Sequence, residues 1–253
     1  MNISIKTDAE IAVMRESGKI LNAALQKVAQ KALAGVTTEE LDRVAKKAIE
    51  ELGGEPAFLG YKGYPKTLCT SVNNEVVHGI PRPDRVLKEG DIVGLDLGVR
   101  LKGLYTDKAV TVGVNGIDFK ASTLLAVTEN ALEKAIEMVR PGAMLHDIAR
   151  TIQHIIEDHK FSVVRDLVGH GVGRELHEDP QVPNFENPKK FPEVALQKGM
   201  VIAIEPMVIA HPTHWKVKFL DDGWTVQSAD GSLAAHFEDT IAVTANGYEI
   251  LTR

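Results

Sequence analysis

Three acidic residues stand where the surrounding sequence reads as apolar strand: Asp96 in VGLDLGV, Glu205 in VIAIEPMV and Glu238 in AHFEDTIAV. A carboxylate withdrawn from water in such a setting is costly unless a cation meets it. Asp107 joins them. It follows Asp96 by 11 residues, roughly 36 Å along a straight strand at about 3.3 Å per residue. A reversal at Lys102-Gly103 would return it to a neighbouring strand beside Asp96. No lysine or arginine is spaced to neutralise all four acids. His170, framed by glycines in GHGVG and followed seven residues later by His177 in ELHEDP, is the histidine best placed to join them.

One imidazole with four carboxylates is a ligand set for hard to borderline divalent ions such as manganese, iron(II), cobalt or zinc, and oxygen-rich sites with bridging acids usually hold two. Two cations about 3.5–4 Å apart lower the pKa of a shared water to roughly 7 and polarise a carbonyl. Hydrolysis then needs no serine or cysteine nucleophile. Cys69, in LCTSV, accordingly reads as a small buried thiol.

These residues need elements that carry them to one place. Thr7 and Glu10 form a capping box ahead of Ile11, Met14, Gly18, Leu21, Leu25, Val28 and Ala32, whose steps of three and four mark a helical face running to about Lys31. Thr37 and Glu40 repeat the pattern before Leu41, Val44, Ala45, Ala48, Ile49 and Leu52, with Gly53-Gly54 as the stop. Two β-rich runs between Asp91 and Val114 flank Lys102-Gly103 and read as a hairpin, and the preceding HGIPRPD is too turn-rich for a helix. The second half starts the same way. Ala121 to Met138 carries one helical stripe ending at Pro141-Gly142, and Leu145 to Ile156 carries the next. Aligning Gly35 with Gly142 superposes the apolar positions. LKEGDIVGLDLG, Leu87 to Gly98, then lies over LQKGMVIAIEPM, Leu196 to Met207, so that Asp96 meets Glu205 in the same strand context. A duplicated α+β unit of this kind would set its sheets side by side with helices behind and a cleft between the halves. One catalytic domain over 1–253 is expected, its halves roughly 1–115 and 116–253.

Composition excludes several alternatives. With 29 Lys and Arg against 35 Asp and Glu the chain carries a net charge of −6, which argues against a broad surface for nucleic acid or lipid headgroups. A single cysteine rules out an intramolecular disulfide framework and suits a reducing compartment. Lys6, Asp8 and Glu10 interrupt any secretory signal, and no run reaches the roughly 18 apolar residues of a membrane span. The expected location is the cytoplasm.

The motifs resemble those of the type I methionine aminopeptidases over nearly the whole chain. The stretches are NEVVHGIP (Asn74 to Pro81), LDLGVRLKGLYTD (Leu95 to Asp107), GHGVGRELHEDPQVPN (Gly169 to Asn184), IEPM (Ile204 to Met207), DGWTV (Asp222 to Val226) and FEDT (Phe237 to Thr240). The resemblance implies an α+β pita-bread fold with two pseudo-symmetric halves around a dinuclear metal cleft. It also implies removal of the initiator methionine from nascent proteins with a small second residue. Asp96, Asp107, His170, Glu205 and Glu238 fall on the family's five metal ligands, with Asp107 and Glu238 as bridges. In the family's mechanism a metal-bridging hydroxide attacks the first peptide carbonyl, Glu205 shuttles the proton, His177 stabilises the oxyanion and His78 lies against the scissile nitrogen. Tyr61, Tyr64, Cys69 and Trp224 match positions lining the methionine pocket. Phe58 and Leu176 stand at its edge, where relatives often carry a cysteine and a phenylalanine. Leu97-Gly98 replaces a more polar pair, which puts the pocket's detailed shape apart from many relatives.

Only 35 residues separate His170 from Glu205, too few for the helical insertion of the type II enzymes. The expected partners are N-terminal methionine peptides and nascent chains near the ribosome, met by a monomer without an N-terminal ribosome-docking module, without membrane contact and without direct reading of nucleic acid. Because the chain begins Met1-Asn2 and the family acts before small residues, it is expected to keep its own methionine, which intact-mass measurement would check. The rival readings are a prolidase or aminopeptidase P of the same fold, a non-catalytic binding module for RNA or ribosomes, and a two-metal phosphoesterase. The last lacks a phosphate-cradling glycine loop or an arginine clamp.

Overall fold

The structure is a computed structural model and describes residues 2–253; Met1, on which the expectation of a retained methionine rests, lies outside them. The chain opens with helix α1 (Asp8–Lys31) and helix α2 (Thr38–Glu51). Both begin at the predicted capping boxes, Thr7 with Glu10 and Thr37 with Glu40. Strands β1 (Glu55–Pro56), β2 (Leu68–Val72) and β3 (Glu75–Val77) follow, then the long hairpin of β4 (Ile92–Leu101) and β5 (Leu104–Gly113). Lys102 and Gly103 make its turn, both with positive φ. This order then recurs as helix α3 (Phe119–Glu137) and helix α4 (Leu145–Asp158) ahead of strands β6 (Ser162–Val163), β7 (Gly169–Gly171) and β8 (Glu178–Val182). Next come β9 (Val201–Ile204), β10 (Met207–Ile209), β11 (Val217–Phe219), β12 (Val226–Ser228), β13 (Ala234–His236), β14 (Asp239–Val243) and β15 (Tyr248–Ile250).

All strand pairs are antiparallel. In the first half β4 takes β1 and β2 along one edge and β5 along the other, and in the second half the order β15-β14-β9-β7-β8 makes a five-stranded sheet. Two three-stranded sheets, β13-β10-β6 and β11-β12-β3, complete the β structure. Each helix pair covers its own half, and Ile11 and Met14 of α1 also pack against Val172, Val201, Ala242 and Leu251 of the second half. Leu21, Leu25, Leu41 and Ile49 pack with Val93, Leu95 and Leu97 of β4; Leu124, Ala131, Ile148, Ile152 and Ile156 pack with Ile202, Ile204 and Ile241. The predicted stripes are therefore the buried faces, except that Leu52 lies past the end of α2 and is exposed.

The internal repeat extends to single hydrogen bonds. Gly35 N donates to Leu87 O at 2.9 Å and Gly142 N to Leu196 O at 2.8 Å, while Gly90 N donates to Val114 O at 3.0 Å and Gly199 N to Val243 O at 2.9 Å. The alignment of Leu87 with Leu196 thus follows the fold, and it places β4 over β9 and β5 over β14.

Candidate metal-dependent active site

Asp107 lies opposite Gly98 and Asp96 opposite Ala109 in the β4–β5 hairpin. Alternation therefore directs both carboxylates to the same face. Glu205 and Glu238 depart from the reading of acids inside strands. Glu205 follows β9, which belongs to the five-stranded sheet, and precedes β10 in a three-stranded one; Glu238 likewise sits between β13 and β14. Both glutamates stand where one ladder bends from sheet to sheet, its register resuming at Met207 opposite His236. Pro206 explains the break, since it has no N–H to continue the ladder. Asn184 Nδ2 holds the bend by donating to the Glu205 carbonyl at 2.9 Å.

His170 occupies the middle of β7, with a bulge beside it. Its glycine frame has a steric cause: a Cβ on Gly169 would overlap the Ala203 carbonyl oxygen, and one on Gly171 the Asp179 carbonyl oxygen. Nδ1 lies 2.9 Å from the Gly171 carbonyl oxygen. A protonated Nδ1 donating there leaves Nε2 with its lone pair free. Nε2 is 3.5 Å from Glu205 Oε1, 3.9 Å from Glu238 Oε1 and 4.0 Å from Asp107 Oδ2.

A seam between β5 and the 236–240 segment brings the halves together. Thr240 Oγ1 donates to Asp107 O at 2.8 Å and accepts from Asp107 N at 2.9 Å; Ala109 pairs with Glu238; Thr111 Oγ1 donates to His236 O at 2.8 Å and accepts from His236 N at 2.9 Å. The seam delivers a residue that sequence reasoning missed. His236 is buried, and its Nε2 lies 3.4 Å from Glu205 Oε2 and 3.9 Å from Glu238 Oε2. Its place two residues before Glu238 in one apolar segment was the available signal, since alternation sets both on one face.

Asp96 Oδ1, Asp107 Oδ1, Glu238 Oε1 and His236 Nε2 are buried without a hydrogen-bond partner. Converging acceptors with no donor to share fit a divalent cation. The near cation Lys108 pairs instead with Asp239, on the far side of β5. Burial, and then mutual repulsion, pushes the Asp107 and Glu238 carboxyls well above the usual range. Burial raises Asp96 and Glu205 to about 7, and it lowers the His236 imidazole. Cations would reverse the carboxylate shifts by releasing those protons.

The cage opens into a cavity of about 180 Å³, smaller than the roughly 300–1,000 Å³ of sites for drug-sized ligands and matched to a single side chain. Phe58, Tyr61, Tyr64, Cys69, His78, Leu176, His177 and Trp224 line it together with Asp96, Asp107, His170, Glu205 and Glu238. These candidate ligands, histidines and pocket residues are thus brought to one place, whereas Leu97 and Gly98 do not line the cavity, Leu97 being buried against the first-half helices. Tyr64 meets Trp224 edge-on at 5.0 Å between ring centroids, and its hydroxyl lies 3.0 Å from the Leu68 carbonyl oxygen. Cys69 is buried deep in the slot, and burial beside Asp96 pushes its thiol well up, away from a reactive thiolate. At the mouth, the His177 ring tilts over His170 at 4.2 Å, with Nδ1 2.9 Å from the Tyr61 hydroxyl. Protein packed round the ring, then nearby His170, Lys62 and His78, lower His177 to about 3. His78, held at φ +60°, is lowered to about 4 by burial and by His236 and His170.

Two helix-backed halves around a carboxylate and imidazole cage define a pita-bread metallohydrolase. Residues 12–245 match metallopeptidase family M24. The chain belongs to that family. It is 49% identical over 250 residues to the methionine aminopeptidase of Clostridium perfringens, with 99% of this chain and 98% of that protein covered. A solved methionine aminopeptidase from Thermotoga maritima superposes with a TM-score of 0.95 at 48% identity, covering all of both chains. The prolidase from Pyrococcus furiosus, at 24% identity, shares the fold with a TM-score of 0.78 over 98% of this chain and 65% of that one.

Proposed function

We propose that this chain is a methionyl aminopeptidase, removing N-terminal methionine from peptides and nascent chains whose second residue is small. The observation that carries this reading is an apolar slot for one side chain, walled by Phe58, Tyr61, Tyr64, Cys69, Leu176 and Trp224, opening directly on the carboxylate cage. A thioether suits such a soft, aromatic lining.

In this reading Asp96, Asp107, His170, Glu205 and Glu238 hold two divalent ions of manganese, iron(II), cobalt or zinc. Such ions, when bound, polarise the first peptide carbonyl and bring water's pKa to roughly 7. Glu205 takes the proton from the attacking water at a side-chain oxygen and returns it to the departing nitrogen. His177 stays neutral. Accepting the Tyr61 hydroxyl hydrogen at Nδ1 leaves the proton on Nε2, which donates to the carbonyl oxygen as negative charge develops. His78 lies against the scissile nitrogen. The aromatic slot orients the substrate and excludes water from the methionine side.

The same reading puts the protein in the cytoplasm as a monomer near the ribosome. No helix among the described residues is long and apolar enough to cross a membrane. Free methionine released from Met-Ala and Met-Gly peptides, and far more slowly from Met-Leu, is the expected result. Turnover confined to X-Pro peptides would favour a prolidase; no turnover with any of these metals would favour a binding module.

A further inference from the structure

The carboxylate cage contains two imidazoles, His170 and His236. His170 Nε2 faces Oε1 of Glu205 at 3.5 Å and Oε1 of Glu238 at 3.9 Å. His236 Nε2 faces the opposite oxygens, Oε2 of Glu205 at 3.4 Å and Oε2 of Glu238 at 3.9 Å. The two glutamates therefore stand between two imidazoles that address them from either side. Ligand atoms on a common ion with bonds of about 2.1 Å lie roughly 3–3.5 Å apart, so either separation closes with a shift of a few tenths of an ångström. His236 Nε2 is buried and has no hydrogen-bond partner.

The internal two-fold supplies an independent argument. The matched bonds from Gly90 to Val114 and from Gly199 to Val243 set β5 over β14 so that Thr111 corresponds to Thr240 and Asp107 to His236. The hydroxyls bear this out: Thr240 Oγ1 brackets the backbone of Asp107 as Thr111 Oγ1 brackets that of His236, at the same 2.8 and 2.9 Å. His236 is the symmetry counterpart of Asp107, which points into the cage from the other half.

We infer that His236 is a further metal ligand, giving each of the two ions one imidazole, His170 for one and His236 for the other. The inference rests on the two-ion reading of the proposed function. Its test is spectroscopic and needs no turnover. Metal-free protein is loaded with two equivalents of cobalt(II), the X-ray absorption at the cobalt edge is recorded, and the hyperfine-shifted imidazole N–H signals are followed by proton NMR. One imidazole per cobalt is expected, with two N–H signals, of which His236→Gln and His236→Asn remove one. In both variants affinity for one ion should fall about 10-fold or more. One imidazole per pair of ions in the unaltered protein, which requires no variant to fold, overturns the inference while leaving the aminopeptidase reading intact. So do variants that retain both signals. A protein that binds no cobalt overturns both.

Discussion

At the scale of single residues, the proposed function assigns some groups to cations and others to substrate. It assigns His177 to the second kind, in keeping with an Nδ1 that lies beside a tyrosine hydroxyl and not a carboxylate. Changing His177→Ala should lower kcat by about 10²-fold or more with bound metal per chain unchanged; a parallel loss of metal would make it a ligand. The metal-free cage makes its own statement about pH. Asp96 and Glu205 titrate at about 7 when folded against roughly 4 when unfolded. The folded state therefore holds more protons and stability falls as pH rises through 7. His78 and His177 act in the opposite sense, but only below their unfolded value of about 6.5. Urea midpoints of the metal-free protein should drop between about pH 6.5 and pH 8.5, and a flat or rising profile would contradict the assignment. Asp96 and His170 stand out in the sequence because an acid in an apolar strand and a histidine between glycines are locally anomalous, and Asp107 because the hairpin turn at Lys102-Gly103 returns it beside Asp96. His236 is one histidine of nine, and its place two residues before Glu238 is a weak local sign beside the seam with β5 that brings it to the cage.

The elements divide in the same way. The helices were readable to within a residue or two because capping boxes and apolar stripes are local, and α1 and α2 start where those signals stand. The second-half strands, many of only three residues, carry too few positions for a period, and their division among sheets depends on distant partners. Reading Glu205 and Glu238 as strand residues failed for that reason: the bend at Pro206 hands the chain from one sheet to another. Gly18 illustrates an element constrained by its neighbour. A glycine inside α1 forgoes about 1 kcal/mol of helix propensity relative to alanine, yet a Cβ there would overlap the carbonyl oxygen of Leu251. Gly18→Ala should therefore destabilise the protein by roughly 1–3 kcal/mol, read as a lowered denaturant midpoint. Stabilisation would mean that the C-terminal segment does not press on the helix.

Across the whole molecule, the duplicated halves explain why a polar cage survives inside a protein with so much apolar packing. Each half buries helices against its own sheet, and the halves meet both through an apolar cluster of Ile11, Met14, Val172, Val201 and Leu251 and through the carboxylate cage, beside which threonine hydroxyls and a β-bridge join the backbones of β5 and the 236–240 segment. The repeat was visible in the sequence because Leu87 to Gly98 and Leu196 to Met207 keep the same pattern, whereas the meeting of the seam required the fold. Everything then depends on divalent ions held at that junction. The direct measurement is methionine release from a Met-Ala peptide by chelator-stripped protein titrated anaerobically with manganese or iron(II), beside the Glu238→Gln variant. Release should be absent without metal, return as the ion is added, and fail to return in the variant at the same ion concentrations. Undiminished turnover by the stripped protein, or by the variant, would contradict the account.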